Sequence, residues 1–327
     1  MQRLKAAVIG AGQMGSNHAR VYTQMPNINL VAITDQNHKT ALKASKQYNT
    51  KPYTNSLEML RQEQPDLVSV AVPTHLHYHV ATEVLAHKCH LLLEKPIADR
   101  EDQARKIIDL AQKNHVQLMI GHVERFNPAV QALRVQLKNK KLGNIYYLEA
   151  RRSGPGPNKP MRCGVTLDIA VHDLDIFPYI TGCRIEQVNA ATSKILNKQH
   201  EDWMHSMLFL NQGIMATLHC DWLTPIKRRK LAVVGSIGTF VVNYISQSLI
   251  FYKDKIGRDG TIKRHSIQHA IKRREPLLIE IETFINSIQK HDPSPVSGED
   301  GLIALKAANS ILHSAQQNKK VTVPRLT

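Results

Sequence analysis

Val8-Ile9-Gly10-Ala11-Gly12-Gln13-Met14-Gly15 is the stretch that decides the fold. The apolar run Leu4 to Ile9 reads as a buried strand, and the segment from Gln13 to Gln24 has helical spacing. Three glycines at the junction suit a dinucleotide: Gly10 allows a tight turn, Gly12 lets the backbone approach a pyrophosphate, and Gly15 lets the helix pack closely. The helix N-terminus then faces the anion. Gln13 and Met14 lie in the same turn and join the three glycines as candidate cofactor-binding residues.

The next strand, Leu30 to Thr34, delivers Asp35 twenty residues past Gly15. A carboxylate there accepts hydrogen bonds from ribose hydroxyls and repels a 2′-phosphate, which selects NAD over NADP. Lys39 nearby softens that preference, and a helix N-cap is the alternative role for Asp35.

Outward from this motif, short apolar runs alternate with amphipathic stretches. Strands are expected at Leu67 to Val72, His90 to Leu93 and Val116 to Ile120, and helices near Lys39 to Tyr48, His79 to His87 and Asp99 to Lys113. That alternation is the signature of a parallel sheet covered by helices. Beyond Gly121 the pattern changes. A helix from Pro128 to Asn139, a strand from Ile145 to Arg152 and a helix from Thr166 to Ile180 precede six strands between Ile185 and Tyr252. Closing helices follow at Leu277 to Gln289 and Asp300 to Gln316. The expected fold is therefore α/β: a doubly wound Rossmann domain over 1–121 that binds NAD, then an α+β domain over 122–327 with a mostly antiparallel sheet for substrate binding and oligomerisation.

Composition agrees with a globular two-domain protein, since 327 residues exceed one ordinary core. No apolar stretch approaches the roughly 18 to 20 residues of a membrane span, and the N-terminal run lacks a cleavage site. Cys89, Cys163, Cys183 and Cys220 lie far apart without a CxxC pair, which points to a reducing cytoplasm. The net charge of +16 attracts anionic partners without choosing among them. The runs Lys227-Arg228-Arg229-Lys230 and Lys272-Arg273-Arg274 read as solvated faces, and no nucleic-acid motif accompanies them.

Three further motifs carry chemistry. In Val72-Pro73-Thr74-His75-Leu76-His77-Tyr78-His79 the alternating histidines invite a metal, but no acidic partner or further ligand accompanies them, so no metal is expected. Their place after a strand makes this a cofactor-side loop. In Leu93-Glu94-Lys95-Pro96 the lysine stands at a strand's carboxyl end, facing the ligand crevice, and Glu94 and Lys95 are both candidate cofactor-binding residues. In Asp168-Ile169-Ala170-Val171-His172 the carboxylate and imidazole stand four apart, on one helical face. A carboxylate raises and orients an imidazole, which suits general acid/base work on a hydroxyl.

GAGQMG, EKP and DxxxH in this order resemble the Gfo/Idh/MocA oxidoreductases over nearly the whole chain. The resemblance implies that Lys95, Asp168 and His172 form the catalytic group and that Val72, Pro73, Thr74 and His77 flank the nicotinamide. Gly121-His122-Val123-Glu124-Arg125-Phe126-Asn127-Pro128 and Ala150-Arg151-Arg152-Ser153-Gly154-Pro155 resemble more closely the branch that oxidises the 3-hydroxyl of UDP-N-acetylglucosamine. That branch implies a 3-keto nucleotide sugar, a downstream aminotransferase, and amino sugars for lipid A or surface polysaccharide. Arg125, Arg151, Arg152 and Arg162 are then candidate diphosphate clamps, with at most one of the adjacent pair Arg151 and Arg152 on the ligand's side of a strand. His172 is expected to take the hydroxyl proton and Lys95 to stabilise the alkoxide, or the reverse.

Two other readings stay open. One is a dehydrogenase of a free sugar or polyol such as inositol; the other is an NAD-bound regulatory or nucleic-acid-binding protein. A broad open sheet also points to a homodimer or homotetramer.

Overall fold

The computed structural model describes residues 3–156, 163–253, 255–256, 261–263 and 265–326. The chain divides into two compact units, Met1–His122 with Leu277–Leu302, and Val123–Pro276 with Ile303–Thr327. The sequence reading placed 277–302 with the second domain, whereas contacts group it with the first.

In the first unit, β1 (Leu4–Ile9), α1 (Gln13–Gln24), β2 (Ile28–Thr34), α2 (His38–Tyr48), β3 (Lys51–Tyr53), α3 (Ser56–Glu63), β4 (Leu67–Val70), α4 (His77–Ala86), β5 (His90–Glu94), α5 (Glu101–Lys113) and β6 (Leu118–Gly121) alternate along the chain. The six strands form one parallel sheet in the order β3-β2-β1-β4-β5-β6. Chain order reverses between β1 and β4, and such a switch point opens a crevice at the carboxyl ends of the strands. Covered on both faces, β4 and β6 are buried at every position, which is why they read as nearly continuous apolar runs, with Ser69 the polar residue in β4.

β3 and α3 were absent from the sequence reading. Three residues with a proline, Lys51-Pro52-Tyr53, carry no period to read. α3 is announced by Asn55, whose side chain accepts a hydrogen bond from the Glu58 amide, and not by a long apolar stripe.

The second unit holds α6 (Pro128–Lys138), β7 (Ile145–Ser153), a π-helical turn at Thr166–Ala170, α7 (Val171–Thr181), β8 (Ile185–Ser193), β9 (Trp203–Leu210), β10 (Met215–Asp221), β11 (Arg228–Gly235), β12 (Thr239–Asn243) and β13 (Ser248–Tyr252). A two-residue ladder, β14 (Lys255–Ile256) with β15 (Ile262–Lys263), precedes β16 (Ser266–Gln268), and β17 (Val321–Thr322) ends the chain's elements. Nine of these strands make one sheet, β16-β13-β12-β11-β7-β10-β9-β8-β17, antiparallel except where β10 runs parallel to β7. One face packs on helices through Leu148, Ala150, Leu208, Leu218, Leu231 and Val233. Alternate residues face the other way, so Phe209, Met215, Tyr147 and Val234 stand side by side across four strands of the open face.

α8 (Pro276–Lys290) and α9 (Gly298–Gln317) close the chain. α9 begins in the first unit and continues in the second. In the first unit its glycines sit tight on α5 and β6: a Cβ on Gly298 would meet Ile108 of α5 at 2.5 Å, and one on Gly301 would meet Ile120 of β6 at 2.8 Å. In the second unit Ala307, Ala308 and Ile311 join the core.

Candidate active site

In the first unit the sequence-predicted cofactor residues gather at the carboxyl ends of β1, β2, β4 and β5. Gly10 has φ +95°, and a Cβ there would meet the Ala71 carbonyl oxygen at 2.6 Å. A Cβ on Gly15 would lie 1.6 Å from the Gly10 carbonyl oxygen, so α1 reaches the turn only without a side chain. Gly12 has open space beside it. α1 has neither a side-chain cap nor an acidic residue in its first turn, which leaves its leading amides to an anion.

Asp35 closes the arrangement. Its Oδ2 accepts from the Ala11 amide at 2.9 Å and its Oδ1 from the Asn37 amide at 2.9 Å, tying β2 to the glycine turn. Each oxygen keeps a second lone pair for a ribose hydroxyl. Asn37, and not Asp35, caps α2, accepting from the Thr40 amide. The turn, the open amides and the carboxylate all fit a dinucleotide.

Two predicted cofactor residues are turned inward. His77 is buried, with Nδ1 2.8 Å from the Pro96 carbonyl and Nε2 2.9 Å from the Val72 carbonyl. Burial keeps it below the ordinary histidine value despite the two carbonyls, so at neutral pH it has one N–H for two acceptors. Its role is to fasten the Val72-Pro73-Thr74 loop to the residue after Lys95. Glu94 is buried too: its Oε1 is 3.1 Å from His18 Nε2, and its Oε2 accepts from the Lys95 amide at 3.3 Å. The other His18 nitrogen lies 3.0 Å from Ser69 Oγ, which is 2.7 Å from Tyr22 Oη. Burial alone would raise Glu94, but the His18 hydrogen bond and the charge of Lys95 hold it below the usual carboxylate range. Neither residue offers its polar atoms to a ligand; both fix the backbone around the half-buried Lys95.

Of the alternating histidines, His75 and His79 are exposed and His77 points in, so they share no centre. Among the described residues no group of three His, Cys, Asp or Glu is placed to hold a metal.

In the second unit the pair expected on one α-helical face begins in a different helix. Asp168 lies in the π turn and His172 in the first turn of α7, both half-buried. Single π turns inside helices widen the backbone and recur at functional sites. Glu201 anchors this one: its carbonyl accepts from the Val165 amide at 3.0 Å and its Oε1 from the Thr166 amide at 3.2 Å. A half-buried carboxylate and imidazole on successive turns can move a proton.

The arginines depart from the sequence reading. Arg125 is buried and grips Asp175 of α7, Nε to Oδ2 at 2.8 Å, while its guanidinium lies 4.8 Å from the Tyr179 ring centroid. Arg152 is 1 % exposed; it bonds Asp173 of α7 and reaches Glu124 Oε1 at 2.8 Å, under the Tyr244 ring. Both guanidiniums are committed to internal carboxylates and are not diphosphate clamps. Arg151 projects from the opposite, open face of the sheet, where its neighbours in register are His219 and Lys230. Arg162 lies outside the described residues.

One cation was passed over. In Lys227-Arg228-Arg229-Lys230, read as a solvated run, Arg229 is half-buried while its neighbours are exposed. It pairs in register with Arg152 and so shares the α7 side of the sheet. The alternation used to separate Arg151 from Arg152 would have singled it out. The two acids in the apolar stretch Val171-His172-Asp173-Leu174-Asp175-Ile176-Phe177 were likewise the sign that buried counter-ions were needed.

The chain is similar to known proteins over nearly its whole length. The model of the oxidoreductase family with an NAD-binding Rossmann fold, GFO_IDH_MocA, matches residues 4–122, and that of the GFO/IDH/MocA C-terminal domain matches residues 130–241. UDP-N-acetylglucosamine 3-dehydrogenase of Acidithiobacillus ferrooxidans is 28% identical over 94% of this chain and 96% of its own length. D-glucoside 3-dehydrogenase of Escherichia coli is also 28% identical, over 97% of each. The solved structure of the A. ferrooxidans enzyme superposes with a TM-score of 0.86 over 97% of this chain and 99% of that one, at 26% identity. The chain belongs to the Gfo/Idh/MocA family and is an NAD-dependent oxidoreductase of CH–OH groups.

Proposed function

We propose that the protein oxidises the 3-hydroxyl of a UDP-N-acetylhexosamine, with UDP-N-acetylglucosamine as first choice, to the 3-keto sugar. The observation that carries this reading is full-length similarity to a UDP-N-acetylglucosamine 3-dehydrogenase. The product is a ketone suited to an aminotransferase, on the way to amino sugars of lipid A or surface polysaccharide.

The glycine turn and Asp35 hold the cofactor, and Val72, Pro73 and Thr74 border it. Bound NAD supplies the hydride acceptor. His172, oriented by Asp168, takes the hydroxyl proton, and the Lys95 ammonium stabilises the negative charge that develops on oxygen. A cytoplasmic site of action suits the buried thiols Cys89, Cys183 and Cys220, none in a disulfide, and no described helix is long and apolar enough to cross a membrane. A homodimer or homotetramer built on the open sheet face suits its row of apolar side chains, Tyr147 and Met215 exposed and Phe209 and Val234 half-buried.

A second reading, oxidation of a free glucoside, is favoured by the commitment of Arg125 and Arg152 to internal carboxylates and by the similarity to D-glucoside 3-dehydrogenase. Absorbance of reduced nicotinamide decides between them. We expect a rise that depends on UDP-N-acetylglucosamine, amplified when an aminotransferase and its amino donor remove the ketone. A rise with methyl glucoside, and none with UDP-sugars, would replace the first reading by the second.

A further inference from the structure

Arg152 and Arg229 sit directly across a strand pair, β7 against β11, on the side that carries α7. Like charges so placed repel and need counter-ions. Arg152 has two, Glu124 and Asp173, and is sealed among them. Arg229 has none of its own: among the described residues its guanidinium makes no hydrogen bond and no ion pair, although it is half-buried. Glu124 and Asp173, the nearby acids that could serve it, are already bonded to Arg152.

Asp168 of the π turn is the other charge that Arg229 feels, acting through space without an ion pair. Burial, and then the charge of Arg152, push Arg229 below the ordinary arginine value; the three carboxylates oppose but do not overcome that shift. A half-desolvated guanidinium with five donors and no acceptor is costly unless an acceptor arrives. A carboxylate or phosphate fits its planar fork with two parallel bonds.

We propose that Arg229 recognises an anionic group on the sugar substrate, phosphate or carboxylate, and so sets the substrate class as an acidic sugar. The inference rests on placing the chemistry at Asp168 and His172. It requires a cation on that side of the sheet, and Arg229 is the described arginine there that is not ion-paired.

Calorimetric titration of the full-length, NAD-loaded protein tests it, using UDP, glucuronate and uncharged N-acetylglucosamine as probes. Arg229→Gln is expected to weaken binding of one of the two anions on the order of 30-fold, the scale of a lost charge-assisted contact, and to leave N-acetylglucosamine unchanged. With the substrate that is turned over, KM should rise by a similar factor while kcat stays within a few-fold. Arg229→Lys keeps charge without the fork and should lose roughly tenfold; it serves if the Gln variant does not fold. Arg229-dependent binding of UDP upholds both this proposal and the nucleotide-sugar reading. Arg229-dependent binding of glucuronate alone upholds the proposal and removes that reading. No anion bound by the native protein, or equal anion affinity in both proteins, overturns the proposal.

Discussion

Among the described residues Arg152 is the largest fully buried side chain, and its charge is matched by Asp173 and Glu124. Removing one member of such a group strands the others without water. Arg152→Met is therefore expected to cost about 3–5 kcal/mol of stability. The double change Arg152→Met with Asp173→Leu should restore part of it, and urea unfolding of the two variants checks this. His172, proposed as the base, differs in being only half-buried. His172→Asn should lower kcat by about 10²–10⁴ while the Kd for NAD stays nearly constant. Parallel losses in both would remove the proposed role as base. At the cofactor, Asp35→Ala should relax the preference for NAD over NADP, read as the ratio of kcat/KM for the two. It should also cost stability, because the amides of Ala11 and Asn37 lose their acceptor.

Among elements, β1 and α1 have the same bounds in the sequence reading and in the structure, because a six-residue apolar run and a glycine turn leave little choice. Seven of the second sheet's nine strands were also legible from strand-length alternation, while the three-residue β16 and two-residue β17 went unread. β3 and α3 were not, since a three-residue edge strand and an eight-residue helix are fixed by neighbours and caps more than by pattern. The site shows the same division. Lys95, Asp168 and His172 stood out by motif, whereas the fates of Arg151, Arg152 and Arg229 depended on which sheet face met the helices, a tertiary fact. Gly15→Ala tests the glycine turn: with 1.6 Å to the Gly10 carbonyl, α1 has to shift. NAD affinity, followed by quenching of protein fluorescence, should fall at least tenfold, on the order of one lost charge-assisted contact.

For the molecule as a whole, pH is the simplest probe. Glu94, Asp202 and Asp221 would each be raised by burial but are held below the ordinary carboxylate range, Glu94 by His18, Asp202 by backbone amides and Asp221 by Thr224 and His219. A pKa lower in the folded than in the unfolded state stabilises above the unfolded value, and that stability is lost as pH falls through the folded one. His77, depressed by burial, follows the same sign from about pH 6.5 downward. The melting temperature should fall progressively from pH 7 to pH 3, and the fall should be shallower in Glu94→Gln. A flat profile through pH 4 would remove this account. Sedimentation tests the open sheet face: Met215→Asp, in the row with Phe209 and Tyr147, should reduce the mass of any oligomer without altering the monomer's helix content.

Because residues 277–302 belong with 1–122, the gene cannot be cut once to release the cofactor-binding half intact. A fragment ending at 122 would leave Ile108 and Ile120 bare where Gly298 and Gly301 seat α9, and should be recovered as aggregate. Supplying 277–302 through a short linker after residue 122 should yield a soluble fragment that still takes up NAD. The two halves are thus interleaved in translation order: the nucleotide half receives its last helix only after almost all of the other half has left the ribosome.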